Sequence, residues 1–132
     1  MFTDDEKAFI KSQAIARIST VAQDGQPDVS PVSFIFEDDC FYIGGKVNST
    51  TKKYKNVANG HTKAALVLDD VISNDPWRAR GVKVFGIAEV VQRPQDYAKE
   101  PWLKITPTTH WSWGIEEEVF VDGFFRTRKV VW

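Results

Sequence analysis

The chain has 132 residues, of which 42% are hydrophobic and 27% charged, with a formal net charge of −1. That length suffices for one core but not two, and the near-neutral charge argues against a general nucleic-acid binder, which needs a broad basic surface. No run approaches the ~18 apolar residues of a membrane span and the acidic start is the reverse of a signal peptide, so a single cytoplasmic domain over 1–132 is expected.

One cysteine, Cys40, rules out an intrachain disulfide framework, and its apolar neighbours predict a buried structural thiol. The 5 Trp and 9 Phe give an aromatic surplus of the kind that lines a ligand pocket or a subunit interface.

Thr3 and Glu6 have the spacing of a capping box, which predicts a short N-terminal helix with Phe2, Ala8, Phe9 and Ile10 on its apolar side. Residues 15–21 are β-branched or small and lead into an Asp24, Gly25 turn, predicting a strand and a hairpin. A second extended run, 29–36, breaks at Glu37, Asp38 and Asp39 and resumes as a third strand over 40–43.

The stretch from Gly44 to Asn59 then changes character. Two glycines precede the hydroxyls of Ser49, Thr50 and Thr51 and the lysines at 52, 53 and 55, which open a helix whose buried face is predicted to carry Tyr54, Val57 and Ala58. From Cys40 to Leu68 there is no Asp or Glu, yet there are lysines at 46, 52, 53, 55 and 63. Unpaired N–H groups at a helix start, hydroxyl donors and cations together suit a phosphate, although lysines on a helix are commonly just a solvated face.

Residues 64–68 read as a fourth strand, ending in a solvated turn at Asp69 and Asp70, and residues 73–81 as a loop carrying Trp77, Arg78 and Arg80. A fifth strand, 82–91, contains Gly86, which predicts a bulge or a close backbone approach. The polar linker 92–101 reads as a loop or one helical turn, 102–113 as the sixth strand, and 116–132 as a tail with no element of its own. The predicted fold is mainly β: a six-stranded antiparallel barrel with a short N-terminal helix and a helix between strands three and four.

The two histidines, His61 and His110, fall in different elements without ligand spacing, so no metal site is expected. Nucleophile elbow, P-loop and dinucleotide fingerprints are all missing. What remains is a site for a ligand with a phosphate at one end and a flat apolar body at the other. The hydroxyl and lysine cluster would hold the anion, while Ser30, Pro31, Val32 and Ser33 with Trp77 would wall the ring; the plain alternative for residues 30–33 is a core strand.

Several short motifs in order carry a resemblance to a known family. They are 16–21 with Asp24 and Gly25, 27–33, 42–45, 51–57, 65–70, 76–81, 86–89, 105–108 and 112–114. Over about residues 2–115 the chain resembles the pyridoxamine 5′-phosphate oxidase-like family of split β-barrel flavoproteins, and more narrowly the actinobacterial branch that uses the deazaflavin coenzyme F-420 in place of FMN. The resemblance implies a homodimer with two cofactor sites at the subunit interface. It implies that Thr51, Lys52 and Lys53, with Lys55 beside them, hold the cofactor phosphate, and the hydroxyl cluster adds Thr50 to that set. Ser30, Pro31, Val32 and Ser33 match the strand lining the ring edge, and Trp77 with Arg78 the loop that reaches in from the partner chain.

The linker 92–101 is short for the family and the tail after Ile115 departs from it. The activity implied is hydride transfer from the reduced deazaflavin to a small unsaturated or conjugated substrate, with no catalytic residue identified. An FMN-dependent oxidase or flavin reductase is the enzyme alternative, and a module that binds a flavin, deazaflavin or tetrapyrrole without catalysis is the other. Pyridoxamine phosphate oxidation itself is disfavoured, because Arg78 and Arg80 are the only candidates for a second phosphate site.

Overall fold

Helix α1, Asp4–Ser12, begins where the capping box places it. In this computed structural model, which describes residues 1–93 and 100–132, the Thr3 hydroxyl accepts from the Glu6 backbone N–H at 3.1 Å and the Glu6 carboxylate accepts from the Thr3 N–H at 2.8 Å. Each bond satisfies a donor that the chain entering a helix would otherwise leave unpaired. Phe9 and Ile10 on the inner side of α1 join Phe2 in the core.

The strands are β1 (Ala16–Val21), β2 (Pro27–Val32), β3 (Ile35–Glu37), β4 (Cys40–Ile43), β5 (Lys63–Asn74), β6 (Trp77–Val91), β7 (Trp102–Trp113), β8 (Phe120–Val121), β9 (Phe124–Phe125) and β10 (Arg128–Val131), with helix α2 at Lys52–Ala58. All but β8 and β9 form one antiparallel sheet in the order β2-β1-β5-β6-β7-β4-β3, and β8 and β9 make a small hairpin of their own. The far edge of β7 is shared: β4 pairs along residues 103–105 and β10 along residues 109–112. β2 and β3 lie at opposite ends of this path, yet only Ser33 and Phe34 separate them in the chain. Two intervening residues span at most about 11 Å, so the sheet curls until its ends nearly meet, as a half-barrel.

The class is as predicted, but the six-strand count is too low. The predicted second strand divides at Ser33 and Phe34, because its first half pairs with β1 and its second with β4. The predicted turn at Asp69 and Asp70 and the loop over 73–81 are instead continuous strand, β5 and β6 joined by a two-residue turn at Asp75 and Pro76. Their charges are paired across strands, Asp70 with Arg80 at 2.6 Å and Asp69 with Arg17 at 2.9 Å, so they do not end the ladder. The Arg80 hydrogen bond holds the Asp70 carboxyl below its usual range, against a smaller opposing effect of burial, and the same bond raises Arg80. The tail, which gave no element, supplies β10 and the outlying hairpin.

The barrel interior is filled by alternate residues of the strands: Ile18, Phe41, Ile43, Leu66, Leu68, Val82, Val84, Leu103 and Ile105 are all buried. Burial of each such side chain stabilises the fold by about 1.5–3 kcal/mol relative to exposure. The predicted thiol Cys40 is buried with them and lies 3.8 Å from the Thr106 hydroxyl. Gly86 stands at a register shift, where an added Cβ would come within 2.7 Å of the Thr106 carbonyl oxygen.

One polar network crosses the interior. Glu6, fully buried, faces His110 Nε2 at 3.1 Å and accepts from Arg128 at 3.1 Å. Burial pushes this carboxyl up, but hydrogen bonds from His110, Ser112 and the Thr3 backbone outweigh it and leave the group at about 2. The network thus ties α1 to β7 and β10.

Candidate functional site

The candidate site begins where β4 ends. An added Cβ on Gly44 would come within 2.5 Å of the Trp102 indole, whereas one on Gly45 would meet nothing within 4 Å. Gly44 is therefore required by packing against β7. Buried Asn48 then fixes the descending chain, donating from Nδ2 to the Ile43 carbonyl at 3.3 Å and the Pro101 carbonyl at 2.9 Å.

A single 3-10 turn, Asn48–Thr50, delivers the chain to α2, whose N-cap is Thr51. The Thr51 hydroxyl donates to the Asn48 carbonyl at 2.7 Å and accepts from the Tyr54 N–H at 3.3 Å. The Thr50 hydroxyl donates to the Val47 carbonyl at 2.7 Å. Both hydroxyl protons are therefore spent on shaping the turn. Val57 is buried as expected, but Ala58 is exposed; the inward position is taken by Asn56, which donates to the buried Thr20 hydroxyl at 3.0 Å.

The cations are left for a ligand. Lys52 and Lys55 are exposed and Lys53 half-buried, and among the described residues no carboxylate stands within ion-pair distance of Lys46, Lys52, Lys53, Lys55 or Lys63. One acid bonded to this stretch was invisible to the local charge count. Glu100, just ahead of β7, accepts from the Ser49 hydroxyl at 3.1 and 3.2 Å and from the Ser49 N–H at 3.4 Å.

Ser30, Pro31 and Val32 lie on β2, at one end of the sheet path, and Ser33 follows. Val32 packs on the core, while Pro31 and Ser33 are exposed. Helix α2 packs against both β1 and β2, so the lysine-bearing helix and the strand that carries Ser30, Pro31 and Val32 are neighbours within one chain. The same chain does not bring Trp77 and Arg78 to them. Those residues are exposed at the tip of the β5–β6 hairpin, ten residues from Ile87, which pairs with Lys63 just after α2. Ten residues of strand span about 33 Å.

Sequence reasoning also missed a surface groove of about 400 Å³ lined by Ser19, Lys63, Ala65, Phe85, Ile87 and Thr108. Ser19 pairs with Ala65 and Ala65 with Phe85, so two small side chains form a flat floor beside an aromatic wall. The signal was present as small residues at outward positions of alternating strands. Among the described residues there is no cluster of three metal-ligating side chains and no helix long and apolar enough to cross a membrane. The linker prediction over 92–101 falls largely on residues 94–99, outside the described residues.

Residues 2–109 match the family model described as pyridoxamine 5′-phosphate oxidase. The chain belongs to that family. The chain is similar to a 5a,11a-dehydrotetracycline/5a,11a-dehydrooxytetracycline reductase of Streptomyces rimosus, 29% identical over 124 residues that cover 89% of this chain and 87% of the relative. Two solved structures share the pyridoxamine 5′-phosphate oxidase fold at 20% identity. A conserved hypothetical protein of Mycobacterium tuberculosis superposes with a TM-score of 0.71 over 86% of this chain and 85% of its own. An FAD binding protein of Mycobacterium smegmatis does so with a TM-score of 0.63 over 83% and 93%.

Proposed function

We propose that this family member is an oxidoreductase that holds the deazaflavin coenzyme F-420 and passes a hydride to a small conjugated or unsaturated substrate. The observation that carries the reading is the lysine cluster of α2, which has no carboxylate partner among the described residues and lies on a helix packed against β2 in a chain similar to a reductase. Charge-assisted hydrogen bonds contribute roughly 1.5–3 kcal/mol each, so Lys52, Lys53 and Lys55 suffice to anchor a phosphate. Because the Thr50 and Thr51 hydroxyls are already bonded within the turn, they shape the cradle, and the lysines meet the anion.

The bound coenzyme supplies the hydride chemistry. The chain's part is to hold the anion, to orient the ring along Ser30, Pro31, Val32 and Ser33, and to keep water from the reacting face. A second copy of the chain completes the site, since Trp77 and Arg78 reach a cradle only from another subunit. The exposed Phe85 and Ile87, on the outward face of β6, give that copy an apolar surface to cover.

FMN in the same site is the second reading, favoured by the FAD binding protein among the structural neighbours. Titration of the cofactor-free protein with F-420 and with FMN, followed by tryptophan fluorescence, separates the two. Tighter binding of F-420 supports the proposal and tighter binding of FMN overturns the deazaflavin assignment. Reoxidation of the reduced complex by a quinone, enone or tetrapyrrole marks an enzyme; failure with all three classes marks a binding module.

A further inference from the structure

The only carboxylate bonded to the cradle stretch, residues 44–59, among the described residues comes from 51 positions away in sequence. Glu100 is held there from two sides. Its oxygens accept from the Ser49 hydroxyl and N–H, and the carbonyl of the next residue, Pro101, accepts from buried Asn48 at 2.9 Å. A fixed negative charge therefore stands two residues ahead of the Thr51 cap and three ahead of Lys52. Resting on the proposed function, we infer that Glu100 tunes which anion the lysine cradle accepts, shifting it toward a singly charged phosphodiester and away from a phosphomonoester.

The physical reason is charge balance. A phosphomonoester such as that of FMN carries about −1.5 to −2 at pH 7, whereas a phosphodiester such as that of F-420 carries a single charge at the same position. Repulsion by a neighbouring carboxylate grows in proportion to ligand charge. Lysines alone favour the more highly charged ligand, and Glu100 reverses part of that preference. A neutral residue at this position would hold the Ser49 donors without the discrimination.

The test titrates the intact protein and its variants with three probes: FMN, F-420 and riboflavin, which lacks phosphate. Glu100→Gln is expected to tighten FMN on the order of tenfold and F-420 by no more than about threefold, consistent with a tenfold change per 1.4 kcal/mol, while riboflavin is unchanged. Glu100→Asp, which keeps the charge, should retain the ratio of F-420 to FMN affinity of the unaltered protein. Thermal midpoints confirm folding, and Glu100→Ala replaces Glu100→Gln if that variant does not fold. Equal tightening of FMN and F-420, or weaker binding of FMN, overturns the inference. Failure of the cradle itself looks different: FMN and F-420 then bind the unaltered protein no better than riboflavin, and Lys53→Ala changes none of the three.

Discussion

The indole N–H of Trp132 donates to Nδ1 of His110 at 2.7 Å. An indole can only donate, so Nδ1 is the acceptor and the ring proton lies on Nε2, pointing at the Glu6 carboxylate. The imidazole thus bridges Trp132 to helix α1. Trp132→Phe keeps an aromatic ring against Phe2 but leaves the buried Nδ1 unpaired. It should cost about 1–3 kcal/mol of stability, read as a lower urea midpoint with an unchanged slope; an unchanged midpoint shows that the bond contributes nothing net.

Glu6 also makes stability depend on pH. Its carboxyl is lowered from an ordinary 4.5 to about 2, so its contribution is complete above pH 4.5 and is lost as pH falls toward 2. At roughly 1.4 kcal/mol per pKa unit that contribution is about 3 kcal/mol. Urea unfolding between pH 6 and pH 2.5 should show most of it disappearing in the native sequence. Glu6→Gln should be less stable at pH 6 and should lack this part of the acid loss.

Gly44 and Gly45 are adjacent and should behave oppositely. Gly44→Ala drives a methyl into the Trp102 ring, and such overpacking costs about 1–3 kcal/mol. Gly45→Ala meets open space, so a change within about 0.5 kcal/mol is expected. Thermal unfolding of the two variants checks this. Normal stability in both, with lost FMN or F-420 binding, would instead mean that the pair admits a ligand to the backbone.

Lys53→Ala should weaken F-420 or FMN binding at least about tenfold, the loss of one charge-assisted hydrogen bond. Alanine is the best helix former, so the thermal midpoint of the cofactor-free protein should barely move. A large drop in that midpoint assigns Lys53 a structural role instead.

A site shared between two copies predicts complementation. Trp77→Ala and Lys53→Ala should each bind cofactor poorly, yet co-expression should restore roughly a quarter of the sites, because a mixed dimer pairs an intact Lys53 with an intact Trp77 at one of its two sites. No recovery in the mixed sample rules out the shared site.

What the sequence disclosed was whatever depends on near neighbours. Thr3 and Glu6 are three residues apart and define α1; the Thr51 cap and the lysines define α2; the alternation from Trp102 to Trp113 defines β7. Features decided by distant partners were hidden. Asp69 and Asp70 look like the end of a strand until Arg17 and Arg80 are seen across the sheet. Ser33 and Phe34 look like mid-strand until β2 and β3 are found at opposite edges. Of the candidate site, the lysines and the β2 edge were legible, but Glu100 was not, since nothing near residue 100 announces a bond to Ser49.

The buried carboxylate of Glu6 also imposes an order on assembly. It lies near the start of the chain, while His110 and Arg128 follow it by 104 and 122 residues. During synthesis α1 emerges long before these two residues, and until they follow its carboxylate has only the Thr3 backbone N–H of its own capping box to bond. Seating of α1 therefore waits on β7 and β10, and burial of its carboxylate falls among the later steps of closing the barrel.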